Sequence, residues 1–550
     1  MDIGLQPDQA DLEVDGSFKH GSHVKLYLPN LPYLAISHAI NGALLRPADN
    51  DRGWQYDLAT SHTSIDNKVW DFQLRKDAYF QDGSHFNADS VMENVAAFQK
   101  APFTFSKFAS VLSHVEKVDD YRVRFFMKEP YGAFPYDAIW LQFYTSSYLL
   151  KHGWNGKPTC PNLVEPGPYG LGPYILSKGY VEGDRRSSVV ELVANKNYWG
   201  ESKPKVEKIT IHLDVTSDKA FTGLTQSEGI VDIMPIAFSK QLETILSDHG
   251  KLASSPSKNN YAMHFNMING DSAIRDAEIR QIINQVIDQQ YLLELSMLGE
   301  GMPSPTMVSP NFYRLDDAIS RLEDYLTESD GIRQQSVESM RARVRAYQQR
   351  QGLNPEEKLQ LTLLAQESFL FLVRDIQYFL DLINIDLNVE VLPAEEDIFG
   401  QLHVTWKGEN TMDWDLLLWG NTDWYKHPWS AFFVYLPSYA WSTIPPDSYL
   451  VELIDNLFRA GIDSEYYAQS AADIIRYVHS NNLMVFLPTP NNVFAVNKEV
   501  HFTPGSSAFV FLRDLQVTNY HWSLRGAEGL PEYRKQPVAI KKVYSGAGES

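Results

Sequence analysis

Val69-Trp70-Asp71-Phe72-Gln73-Leu74-Arg75-Lys76-Asp77-Ala78-Tyr79-Phe80-Gln81-Asp82-Gly83-Ser84-His85-Phe86-Asn87-Ala88-Asp89-Ser90-Val91 is the stretch that decides the fold. Its first seven residues alternate apolar and polar, so Trp70, Phe72 and Leu74 share one face of a half-buried strand. Asp82-Gly83 is a turn, with Gly83 suited to a positive φ. Asn87 then stands before Ala88-Asp89-Ser90, where its side chain can cap a helix reaching about Lys100. A strand, a turn and a capped helix within some thirty residues point to a mixed α/β domain.

The neighbouring segments extend this pattern. Val24-Lys25-Leu26-Tyr27-Leu28 reads as a strand that stops at Pro29-Asn30, and residues 1–22 read as a loose polar arm. Leu34, Ile36, Ile40, Leu44 and Leu45 have helical spacing over 34–46. Residues 111–127 carry a hairpin signature around Asp119-Asp120. Residues 165–174 are dense in Gly and Pro, hence irregular. Strands are expected at 189–194 and 209–213, and a helix between 272 and 298. The charged run 315–352 reads as solvent-facing helices. Residues 359–400 read β-α-β, and a right-handed crossover between parallel strands is the usual outcome. Trp414-Asp415-Leu416-Leu417-Leu418-Trp419-Gly420 is nearly continuously apolar, as buried parallel strands are.

A chain of 550 residues allows about three domains. Its hydrophobic fraction of 44% supplies a large core and excludes a disordered chain. The 69 acidic residues against 48 basic ones give a net charge of -21, which weighs against nucleic acid as a partner. No run of 18 apolar residues occurs, so no helical span of a bilayer is expected. The single cysteine, Cys160, can neither close an intrachain disulfide nor build a thiolate cluster. Met1-Asp2-Ile3-Gly4 starts no secretory signal as written.

Catalytic signatures are missing. Trp154-Asn155-Gly156-Lys157-Pro158 lacks the first glycine and the Ser/Thr of a phosphate loop. Gly167, Gly170 and Gly172 miss the dinucleotide spacing, and neither G-x-S-x-G nor H-E-x-x-H occurs. His20 and His23 read as surface residues, and Glu395-Glu396-Asp397 as a helix cap. The chain is therefore not expected to be an enzyme, and it needs no cofactor or metal.

Taken in order, these motifs resemble family 5 extracellular solute-binding proteins, the receptors of ABC importers for peptides, nickel and glycosides. The resemblance is carried by 70–91, by Gly170-Leu171-Gly172-Pro173-Tyr174 (with Leu171 departing from a threonine), and by Asn195-Lys196-Asn197-Tyr198-Trp199-Gly200. Further on it is carried by Phe265-Asn266, by Ile279-Arg280-Gln281-Ile282-Ile283, and by Asp415 to Pro428. It spans about residues 24–515. It implies a bilobal, Venus-flytrap α/β fold with an extra subdomain inserted in lobe I. Lobe I would combine 24–44, 161–262 and 490–550, the inserted subdomain 45–160, and lobe II 263–489, after an arm of 1–23. The crossings between lobes would lie near Met263-Phe265 and Leu487-Pro490.

What the resemblance implies for function is a monomeric receptor at the periplasmic or outer surface. It would close on a small molecule or short peptide and deliver it to a membrane permease. A sensor reusing the same fold is the alternative. Ligands meet loops at the ends of buried strands, on aromatic linings with a few polar groups. The candidate loop is Trp419-Gly420-Asn421-Thr422-Asp423-Trp424-Tyr425-Lys426-His427-Pro428, with Trp419, Asn421, Asp423, Trp424, Tyr425 and His427 as ligand-binding candidates. Second candidates are Tyr27 and Asn30, Trp140 and Tyr144, and Tyr261 and His264. Peptide-binding members hold the peptide's amino group with an aspartate in this loop. The matching position here is Trp424, with Asp423 one residue earlier. Nickel-binding members place a histidine where this chain has Trp419. Such replacements suit flat or apolar ligand faces: sugars, aromatic conjugates or chelated metals.

Overall fold

The computed structural model describes residues 18–29, 32–103, 105–154, 163–182, 185–236, 246–268, 270–304, 306–322, 335–392, 414–421, 425–436, 442–507, 509–526, 529–531, 534 and 538–539. Val69–Leu74 is the strand its alternation predicts, with Trp70, Phe72 and Leu74 buried. Each such side chain contributes about 1.5–3 kcal/mol when fully buried. The strand belongs to a four-stranded antiparallel sheet, ordered Ala59–Ile65, Val69–Leu74, Arg122–Met127, Leu112–Asp119. On its solvent side Asp71 takes the Arg122 and Arg124 guanidiniums at 2.6 and 2.7 Å. Gly83 turns at φ 90°. Asn87 caps the helix Ala88–Lys100 by accepting from the Asp89 and Ser90 amides. Against the apolar face lies the helix Phe134–Trp140, buried at every position, with Phe134 edge-on to Trp70 and Phe72. This packing fixes where Asp137 and Trp140 point.

An eight-stranded mixed sheet runs in the order Tyr174–Lys178, Val189–Ala194, Val206–His212, Lys19–Tyr27, Ile233–Pro235, Thr489–Asn497, Gly250–Pro256, with Gly301–Met302 also on Thr489–Asn497. The arm expected over 1–23 is already strand from Lys19, and Phe18 is buried. The pairing of this strand with Val206–His212 overrides the polar local composition. The helix expected over 34–46 spans only Tyr33–Ile40, because Gly42–Ala43 and Leu45–Pro47 are drawn into short strand pairs.

The third sheet has five strands, ordered Ile385–Leu392, Leu359–Gln366, Leu416–Asn421, Asn260–Phe265, Met484–Phe486. Its parallel part is the β-α-β unit of the sequence. Leu359–Gln366 pairs in parallel with Ile385–Leu392 across the helix Leu370–Leu382, and with Leu416–Asn421 on the other side. Asp415 secures the start of that strand, accepting from the Thr362 amide at 2.7 Å and from the Ser272 hydroxyl. The chain passes from the eight-stranded to the five-stranded sheet at 257–259 and returns at 487–488, touching the eight-stranded sheet in between at Gly301–Met302. The first passage precedes the expected Met263-Phe265, because Asn260–Phe265 pairs along its whole length with Leu416–Asn421. The first passage is tied to the strand that follows the second, Thr489–Asn497. Ser257 Oγ donates to the Pro490 carbonyl at 2.5 Å, and Asn259 Nδ2 donates to Asn492 Oδ1 at 2.8 Å.

The four-stranded part also meets the helix Ser448–Arg459, which lies in sequence between two strands of the five-stranded sheet. The Gly132 amide donates to the Phe458 carbonyl at 2.7 Å, Asn67 Nδ2 donates to the Arg459 carbonyl at 3.1 Å, and Lys107 pairs with Asp455. A Cβ on Gly132 would stand 1.9 Å from the Ala460 carbonyl oxygen, so only glycine permits this approach. Gly132→Ala is expected to destabilise the fold by about 1–3 kcal/mol or more through overpacking against backbone. Urea unfolding of the two proteins checks this, and an unchanged midpoint would contradict the contact.

Candidate functional site

Leu416, Leu417 and Leu418 are fully buried in the five-stranded sheet, and the chain leaving this strand returns at Tyr425, Lys426 and His427, all buried. Tyr425 Oη donates to Asp137 Oδ1 at 2.9 Å. The same carboxylate accepts from Ser106 Oγ at 2.6 Å and, on Oδ2, from Tyr131 Oη at 2.7 Å. Three hydroxyls thus surround one buried acid at the junction of the helix Phe134–Trp140 with the loop. Burial pushes the Asp137 carboxyl up to about 7, with the hydroxyl donors pulling the other way. Burial and the Asp137 charge drive the Tyr131 and Tyr425 phenols well above their ordinary range.

Beside this acid, four parts of the chain bring aromatic rings together. Trp140 contacts Tyr33 and His38 of the helix Tyr33–Ile40 at 6.4 and 5.4 Å between ring centres. It also meets Phe105 at 5.9 Å and Phe509 at 5.9 Å. Phe105 reaches Tyr425 at 5.8 Å, and His38 reaches Phe509 at 5.4 Å. Lys426 lies within this group, with Nζ 5.0 Å from the Phe509 ring and a backbone φ of 68°. Gln142 Nε2 lies 3.2 Å from His38 Nδ1 and also bonds Ser37 Oγ, while Asn41 holds the Gln142 carbonyl. Burial, then Arg513, Lys426 and Arg46, lower the His38 imidazole to about 3, so it is neutral. His427 is lowered to about 3 by burial, and its Nδ1 accepts from the Trp429 amide.

Of the predicted residues, Trp140 and Tyr425 come together here, and His427 lies beside them, 5.0 Å from the Tyr136 ring. Asn30, Asp423 and Trp424 lie outside the described residues, and Asn421 is described only as the last strand residue. Trp419 and His264 face each other at 6.2 Å on one side of the five-stranded sheet, where burial lowers His264 to about 4. Tyr261 packs on the other side against Phe369 and Phe371. Tyr144 stacks on Tyr148 and Tyr169 and is buried among them. Tyr27 is buried at a strand end and pairs with His212. Asp137, His38, Phe105, Lys426 and Phe509 were not singled out from sequence. Lys426 stood within the quoted loop, whereas the others have no local signal. A separate cavity of about 410 Å³, lined by His23, Lys196, Glu207 and Lys208 among others, lies against the eight-stranded sheet and touches none of the predicted residues.

Among the described residues, no group of three or more His, Cys, Asp or Glu side chains could hold a metal ion, and no helix is long and apolar enough to cross a membrane. The arrangement brings together buried aromatic rings, a neutral imidazole, an amide and an ammonium, the kinds of group that line small-molecule sites.

Residues 53–443 match the family model described as bacterial extracellular solute-binding proteins, family 5 middle. The di/tripeptide-binding protein 3 of Pseudomonas aeruginosa UCBPP-PA14 is 24% identical over 278 residues, which is 46% of this chain and 50% of that protein. The chain thus spans about half the length of the curated relatives it matches. The crystal structure of NikA from Brucella suis in complex with Fe(III)-EDTA superposes with a TM-score of 0.67 at 17% identity, over 90% of this chain and 100% of that one. The dipeptide-binding protein from Pseudoalteromonas sp. SM9913 in complex with Met-Leu gives 0.66 at 15%, with the same coverage. The chain shares the bilobal α/β fold of these proteins.

The Asp137 carboxyl carries a pH signature with a definite sign. Its pKa is near 7 in the fold and near 4 when unfolded, so the fold binds the extra proton between these values. Its contribution is full below pH 4 and is lost as pH rises to 7, on the order of a few kcal/mol. The buried histidines act with opposite sign, so the readout is a difference. Relative to the wild type, Asp137→Asn is expected to gain stability from pH 4 to 7 and to level off above. Parallel unfolding curves at every pH would contradict it.

Proposed function

The chain belongs to the family 5 bacterial extracellular solute-binding proteins, and from that premise we propose that it is the receptor of an ABC importer. It captures a small molecule or short peptide between two lobes and presents the closed form to a membrane permease. Support comes from the convergence at Trp140: residues of the eight-stranded part, the inserted subdomain, the 425–427 loop and the 509 segment meet there. A ligand seated among them touches both lobes only when they are closed, so its differential affinity drives closure. The lobes follow the sequence division: 24–44, 161–262 and 490–550 in lobe I, 45–160 in the inserted subdomain and 263–489 in lobe II. Relatives and structural neighbours named for dipeptides and for nickel transport support ligands of that size.

On this reading the protein acts outside the cytoplasm, as a monomer, without turnover and without nucleic acid. Trp140 and Phe509 form the lining, and Gln142 and His38 orient the ligand. Native mass spectrometry of protein purified under gentle conditions is expected to show an adduct that is lost on denaturation. Trp140→Ala and Phe509→Ala are expected to lose that adduct, and ligand return to the stripped protein is expected to reduce the radius of gyration in small-angle scattering. Adduct retention by both variants would overturn this placement of the site. Chemical conversion of the released compound would overturn the binding reading.

A further inference from the structure

Where the segment after Thr518 packs against the strand Lys19–Tyr27, an acid, an imidazole and a hydroxyl stand in line. The side chains of Asp232 and His521 are both fully buried, with Oδ1 3.2 Å from Nε2. The same Oδ1 accepts from Trp522 Nε1 at 2.8 Å and from Asn497 Nδ2 at 3.1 Å, and Oδ2 accepts from the Lys25 amide at 2.9 Å. A carboxylate held by so many donors is fixed in place, and it only accepts. In the neutral ring the proton therefore sits on Nε2, and Nδ1 keeps its lone pair. Ser523 Oγ lies 2.8 Å from that Nδ1.

This order is the one that activates a serine: the acid orients the ring, and the ring takes the hydroxyl proton. The Ser523 amide also points at Nδ1, at 3.4 Å, which closes the local turn. A turn alone needs no buried acid on the far nitrogen. Ser523 Oγ accepts from the His23 amide at 3.1 Å, a donor that favours negative charge on this oxygen. Unlike its two partners, Ser523 keeps some exposure to solvent. The cavity of about 410 Å³ against the eight-stranded sheet starts at the neighbouring Gly21, Ser22 and His23. A Cβ on Gly21 would stand 4.0 Å from the Ser523 carbonyl oxygen. Phe18 and Val193 give the cavity an apolar part, and Lys196 and Lys208 bring positive charge to it.

We propose that Ser523 is a nucleophile that an activated acyl ester or thioester acylates, with the acyl group entering beside this cavity. His521 is the base and Asp232 the positioning residue. Oγ bonds to the carbonyl carbon while its proton passes to Nδ1, and the carbonyl π pair moves onto oxygen. That pair returns as the bond to the alcohol or thiol breaks, and the leaving group departs with the bonding pair and takes the proton from Nδ1. The products are an acyl-serine and a free alcohol or thiol. The compound captured at Trp140 takes no part, so this inference goes beyond the receptor reading and stands or falls separately from it.

The test treats the full chain with p-nitrophenyl acetate and p-nitrophenyl butyrate at about pH 8, where an ordinary imidazole is neutral. Nitrophenolate release is followed, and intact mass and peptide mapping locate the acyl group. The wild type is expected to gain one acyl group on Ser523, and to lose this labelling when unfolded in urea. Ser523→Ala is expected to fold with an unchanged Tm and to lose that label, whatever slow acylation its lysines retain. His521→Gln and Asp232→Asn are expected to slow Ser523 acylation by about a hundredfold or more, at an unchanged half-saturating ester concentration. If either buried variant fails to fold, the Ser523→Ala comparison and the urea control still decide. Acyl groups on lysines alone, equal labelling of Ser523 in the unfolded chain, or no labelling of the wild type would overturn the proposal.

Discussion

The structure turns on a buried carboxylate answered by hydroxyls. Asp137 is inaccessible to solvent, and Ser106, Tyr131 and Tyr425 all donate to it. Tyr425 belongs to the chain leaving the five-stranded sheet, while the other three belong to the part built on the four-stranded sheet. An acid taken from water needs several donors, and this one finds its complement only when the two parts meet. The rings of Phe105, Trp140 and Phe509 then fall into place around it, and Lys426 is held against them by the loop that carries Tyr425. The ring cluster and the contact between the two parts are thus one construction.

Much of the scaffold was legible from sequence because it follows local rules. Trp70, Phe72 and Leu74 alternate, so they share a face; Asn87 stands three residues before Ser90, so it caps. Leu359–Gln366 and Ile385–Leu392 flank an amphipathic helix, so they pair in parallel. Where tertiary pairing overrides composition, the reading shifts. Lys19 to His23 looks like a polar arm until Val206–His212 supplies a partner, and the helix after Tyr33 stops early at Ile40 for the same reason.

The site was legible only in part. The loop was placed by its position after a buried strand, and Trp140 by its size in the inserted segment. Asp137 and Tyr425 lie 288 residues apart, and Arg513 reaches the His38 carbonyl across 475. No periodicity or spacing connects such pairs. Tyr144 and Tyr261 show the converse. Both are large aromatics near plausible strand ends, and both are held within cores by neighbouring rings.

The start of the strand Thr489–Asn497 is where separate stretches of chain are fastened together. Ser257 and Asn259 of the first passage bond to its Pro490 and Asn492, and Gly301–Met302 pairs with its Pro490 and Thr489. A Cβ on Gly301 would stand 2.3 Å from the Thr489 carbonyl oxygen, so this approach is as close as backbone allows. A change at Pro490 therefore disturbs two attachments at once, although they lie more than forty residues apart in sequence.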